Sequence, residues 1–219
     1  IDRLAPEDKR LLQCAAVVGK QFLVALLAAL AELHEEELRN GLMRLQAAEF
    51  LDHVGAFPDV EYVFSHALTQ DVAYATLLHE PRRSLHAKIV GAIEKLYARR
   101  IVEQVERLAH HAFHGEVWPK AVDYYQLAGL KAMQRAANQE AVLCFEQALS
   151  ALEHFPESLH RTEQAIDLRL DLRPALLQLG RLDEVLAVSR EAEALAKELG
   201  DEQRLARVYV YLINYHYLK

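Results

Sequence analysis

The chain has 219 residues, 52% of them hydrophobic and 26% charged, which is enough apolar side chain for one large core or two small ones and too much for disorder. Its 8 glycines and 6 prolines are too few for the turns of an all-β protein. With 25 Lys/Arg against 32 Asp/Glu the net charge is −7, which disfavours a general nucleic-acid binder, because neutralising phosphates takes a basic surface.

Two cysteines, Cys14 and Cys144, are too few for a disulfide scaffold and suit a reducing, cytoplasmic setting. No apolar run reaches the ~18 residues of a membrane span; the longest, Phe22–Glu32, has the length of a buried helix. The sequence opens with Ile1 and stops at Lys219 inside a helical pattern, so it reads as a segment of a longer protein.

The first helix is announced by Ala5-Pro6-Glu7-Asp8, with proline at an early helical position and acids at the positive end of the dipole. Leu11, Leu12, Ala15, Ala16 and Val18 form its apolar stripe, and Gly19 stops it. A second helix is expected over Gln21–Leu33. A third starts at Glu35-Glu36-Glu37 and carries Leu38, Leu42 and Leu45. Then the period changes. Phe50–Val54 and Val60–Phe64 are short, β-branched and aromatic, with Gly55–Asp59 between them, and read as a hairpin, the only β structure expected. Three short helices and a hairpin are the outline of a winged-helix unit, placed at 1–78.

From Ser65 onward the pattern is helical throughout. Helices are expected over 66–78, 81–99, 101–114, 118–136, 138–153, 159–179, 182–199 and 202–218, with Pro174 kinking or splitting one of them. Short connections imply antiparallel helical hairpins, an α-solenoid over 79–219. Gly129, Ala141, Phe145 and Ala148 match the tetratricopeptide pattern of small residues and a groove-filling aromatic. Ala109, Ala121, Tyr125 and Ala128 form a weaker copy. A third runs through Leu179–Glu184 to Ala192, Ala194, Ala196 and Leu199-Gly200-Asp201. An ordinary helical bundle with alanine-rich contacts is the alternative.

Catalytic constellations are scarce. Gly19-Lys20 resembles the tail of a P-loop, but Cys14 stands where the loop needs glycine and Gln21 where it needs a Mg²⁺-binding hydroxyl, so it reads as a helix stop. His110, His111 and His114 have helical spacing that can ligate zinc, yet no His-Glu-x-x-His arrangement or cysteine completes a site, and polar positions at a helix end explain them better. Cys14 and Cys144 fall on apolar helix faces and read as small core residues. Neither catalytic residue nor metal ligand is assigned. Residues 1–78 hold six Lys/Arg against twelve Asp/Glu, and the candidate recognition helix opens on three glutamates, so DNA is an improbable partner. Residues 79–135 hold ten Lys/Arg against six Asp/Glu, and the clusters Arg82-Arg83 and Arg99-Arg100 read either as solvated helix ends or as docking points for an acidic neighbour.

The stretch Tyr62–Tyr74, continuing through Leu77-Leu78 to Arg82–His86 and then Glu103–His111, resembles the region downstream of the ATPase core in bacterial signalling proteins of the STAND class. Ile1–Pro6 resembles the junction where that core hands over to its winged helix. Members similar to this chain often carry an adenylate/guanylate cyclase domain, then the ATPase, then a tetratricopeptide array. The resemblance implies that ATP or ADP and Mg²⁺ bind upstream, with no cofactor in this segment. It also implies that His66, just after the hairpin, contacts the β-phosphate of ADP, although the acid that follows the family's histidine is Ala67 here. The other reading of His66 is a cap on the next helix.

The expectation is therefore a mainly α, non-catalytic regulatory segment, a winged-helix relay followed by a repeat scaffold. Its partner would be another protein or the chain's own upstream catalytic domains. The alternative is a winged-helix transcriptional regulator with a helical sensor domain.

Overall fold

Pro6 fills the first helical position of α1 (Pro6–Val18), where its missing N–H costs nothing, and Gly19 ends the helix at φ +140°, a conformation that residues with a Cβ rarely adopt. Leu11, Leu12, Ala15, Ala16 and Val18 of α1 are buried as their spacing requires. The computed structural model describes Ile1, residues 3–54 and residues 61–218, the last five of these as backbone only. The expected hairpin turn, Gly55–Asp59, lies outside the described residues.

The first correction follows directly. The expected helix over Gln21–Leu33 is a short strand, β1 (Gln21–Leu23), leading into a shorter helix, α2 (Val24–Ala31). After α3 (Glu35–Ala47) come β2 (Leu51–Val54) and β3 (Glu61–Phe64). β1 and β2 each pair antiparallel with β3, giving the order β1-β3-β2. Gln21 lies opposite Val63, Phe22 opposite Tyr62, and Leu23 opposite Glu61. On the far side Leu51 faces Phe64 and His53 faces Tyr62. Phe22 is drawn into the strand because it closes an aromatic cluster with Tyr62 and Phe64, at ring-centroid distances of 6.4 and 6.2 Å.

Next come α4 (Ala67–Ala75), α5 (His79–Leu96), a 3₁₀ turn over Ile101–Gln104 and α6 (Val105–His114). The chain continues through α7 (Trp118–Gln134), α8 (Asn138–Leu152), α9 (Leu159–Gln178), α10 (Leu182–Leu199) and α11 (Glu202–Leu218). The fold is mainly helical with one small antiparallel sheet. α9 runs unbroken through Pro174, although proline removes one donor from the helix ladder. No helix among the described residues is long and apolar enough to cross a membrane.

The chain divides into two units, Ile1–Gln104 with His114–Glu116, and Val105–Phe113 with Val117–Lys219. In the first, α1 packs on α2, α3, α4 and α5, and α5 turns Ile89, Val90 and Ile93 inward. In the second, each helix from α7 to α11 packs on the next, and α7 also reaches α9. Ile166 and Leu170 of α9, Ala192 and Ala196 of α10 and Val208 of α11 form one continuous core there.

Candidate functional site

The packing residues picked out by pattern do meet in the second unit. Gly129 of α7 and Phe145 of α8 are in direct apposition: a Cβ built on Gly129 would lie 2.7 Å from Cε1 and 2.8 Å from Cζ of the ring. Glycine is required because the ring occupies the space a methyl group would need. Phe145, Ala141 and Ala148 are fully buried, as are Ala121 and Ala132 of α7, with Ala128 nearly so. Alanines at the facing positions let the two helices close on the ring from both sides. The chain turns between them through Ala136 at φ +57°, and the Ala137 N–H returns to the Ala132 carbonyl at 2.9 Å.

The weaker copies are placed less uniformly. Ala109 is buried, and Tyr125 is half-buried with its ring edge-on to Phe113 at 5.9 Å. Burial pushes the Tyr125 phenol up from its ordinary value. Ala192 and Ala196 are buried, but Ala194 is exposed, because residues two apart on a helix face opposite ways.

His66 stands at the residue before α4, in extended conformation (φ −136°, ψ 132°), with its side chain exposed. Its carbonyl accepts the Thr69 N–H at 3.0 Å, while its imidazole makes no capping hydrogen bond. Ala67 and Leu68 beside it are exposed as well. The geometry leaves the imidazole pointing to solvent.

Lys20 follows Gly19 as an exposed link into β1, and its carbonyl accepts the Phe64 N–H at 3.1 Å. His111 is buried and His110 exposed, their rings edge-on at 5.3 Å; His114 is exposed. Cys14 and Cys144 are half-buried. Burial raises the Cys14 thiol and pushes Cys144 up to about 11, opposite to the shift an activated thiolate needs. Glu35, Glu36 and Glu37 are all exposed at the start of α3, and Glu37 accepts the His34 backbone N–H at 3.2 Å.

One pair escaped the sequence reading. Asp8, buried in the first turn of α1, takes a forked guanidinium from Arg44 of α3, Nη2–H to Oδ1 at 2.7 Å and Nε–H to Oδ2 at 2.9 Å. Gly41 sits beside this pair, where a Cβ would meet Leu11 at 2.7 Å. An acid in a first helical turn is ordinarily explained by the helix dipole, so nothing local pointed to a partner 36 residues away. No family model, curated protein or solved structure matches the chain.

Proposed function

We propose that this chain is a non-catalytic regulatory and protein-interaction segment of a larger signal-transducing ATPase, combining a winged-helix relay with a tetratricopeptide-like scaffold. The observation that carries the reading is the order helix–strand–helix–helix–strand–strand with the first strand paired to the last. That arrangement supports a winged helix more strongly than the hairpin alone. The Gly129–Phe145 apposition and the sequential packing of α7 to α11 support the repeat reading. Nucleotide exchange upstream would shift the winged helix, and the repeat array would pass that shift to a protein partner or to a nucleotide cyclase in the same chain.

Electrostatics favours this over a DNA reader. Three exposed carboxylates open α3, where a recognition helix meets bases and phosphates. The segment should neither shift a duplex in a salt-series gel assay nor turn over ATP. The direct test is the coding sequence upstream of Ile1. A P-loop ATPase core there is expected; a product lacking any nucleotide-binding core overturns the reading.

A further inference from the structure

The first unit contains a groove that no part of the functional reading uses. It runs beside α1 from Glu7 to Cys14, about 10 Å or two helical turns at ~1.5 Å per residue, and its volume is about 650 Å³. Leu11, Leu77 and Leu85 form its apolar lining. Leu78 and Leu33 stand at its edge, 77% and 38% exposed, so the apolar surface spills over the rim. Two charges of opposite sign, Glu7 and Arg10, lie one turn apart on the α1 side, and neither side chain has an ion pair or hydrogen bond among the described residues.

We infer that this groove docks a short amphipathic helix of a partner protein. That helix would present two leucine-sized side chains three or four residues apart, with an acidic residue toward Arg10 and a basic residue toward Glu7. Three features select that occupant. The groove is about half open to solvent, so what fills it has a face that stays in water, unlike an enclosed small molecule. Its walls are α1, the end of α2 with Leu33, the α4–α5 turn and the start of α5, with no strand among them. An extended peptide would find no strand edge to pair with, whereas a helix brings its own hydrogen bonds satisfied. Finally, an alkyl carboxylate drawn to Arg10 would meet Glu7 one turn away, whereas a helix can place both signs at the matching spacing.

The proposal stands on the first unit alone and does not depend on the ATPase reading. It is tested by panning the whole 219-residue chain against a displayed library of random 16-residue peptides, then measuring a synthetic selected peptide by fluorescence anisotropy. Enriched peptides should carry apolar residues at i and i+3 or i+4, with flanking charges of both signs. Leu78→Glu should weaken the selected peptide at least tenfold without changing the circular dichroism melt, because Leu78 is exposed. Arg10→Glu should weaken it several-fold, with recovery when the peptide's acid is changed to lysine. Peptides indifferent to both substitutions, an enriched pattern of alternating extended residues, saturable binding of dodecanoate abolished by Arg10→Glu, or a dimer of the chain abolished by Leu78→Glu would each overturn it.

Discussion

The ring of Phe145 fills the space where Gly129 lacks a side chain, a built Cβ falling 2.7 Å from the ring edge. The two residues therefore form one packing unit in which neither identity is independent of the other. Alanine is the better helix former by ~1 kcal/mol, so a helical position that keeps glycine between Ala128 and Leu130 keeps it for space.

Gly129→Ala should consequently destabilise the second unit by ~1–3 kcal/mol, the usual cost of overpacking a filled core. Phe145→Ala should cost ~3–5 kcal/mol, because a fully buried ring is removed. The decisive measurement is the double mutant. With the ring gone, Gly129→Ala has room, and helix propensity should make it stabilising by up to ~1 kcal/mol. Urea titrations of the four variants give the coupling; strict additivity would mean the contact is not what demands glycine.

His66→Ala should leave the stability of the chain within ~0.5 kcal/mol, since the imidazole is exposed and caps nothing. Under the ATPase reading the same substitution in the full-length protein should loosen ADP and raise basal output. Unchanged ADP affinity there would end the phosphate-sensing role, while a large loss of stability in the segment would mean the side chain holds the fold.

Arg44→Ala should cost more than its own exposure suggests. The guanidinium is half in solvent, but its partner Asp8 is buried, so removing Arg44 strands a carboxylate whose desolvation is no longer offset. A clear fall in the thermal midpoint is expected. Asp8→Asn, which keeps the shape and leaves Arg44 free to turn outward, should cost less. Equal losses from the two changes in thermal melts would place the energy in packing instead.

How far the sequence carried depends on how local each feature is. Gly129 and Phe145 were legible because a small residue and an aromatic stand at helical spacing on consecutive helices. The helix starts at Leu182 and Glu202 were legible from the glycines that precede them. β1 was not. Gln21-Phe22-Leu23 runs into Val24-Ala25-Leu26 without a break in hydrophobicity, and what makes it a strand is pairing with Glu61–Val63, 40 residues on. The Asp8–Arg44 pair and the groove beside α1 were hidden for the same reason, each being assembled from segments whose proximity no period encodes. His66 could be placed before a helix from its neighbours, but its exposure could not.

Acid should loosen the start of α11 through Asp201. Its carboxylate accepts the Arg204 backbone N–H at 2.9 Å and the Arg204 guanidinium at 2.6 Å, and these bonds, the backbone one foremost, hold its pKa below the ordinary aspartate value. A folded-state pKa below the unfolded one means that the carboxylate stabilises the fold above the unfolded value of ~3.9, and that this contribution disappears as pH falls through the folded value. Other carboxylates shift the same way, among them Glu32 beside Lys88 and Glu80 beside Arg83, so acid sensitivity alone does not identify Asp201. Asp201→Asn isolates it. Asparagine still caps a helix well, and Arg204 stays anchored by its fork to Asp167 at 2.7 and 3.2 Å, so the variant should fold normally. The stability gap between wild type and variant should be constant from pH 6 to 5, should begin to narrow as pH falls through the unfolded value of ~3.9, and should vanish only below the folded value, where both side chains are neutral. A gap that does not narrow at all between pH 5 and 2.5 in denaturant titrations would mean that shape rather than charge at position 201 holds the helix.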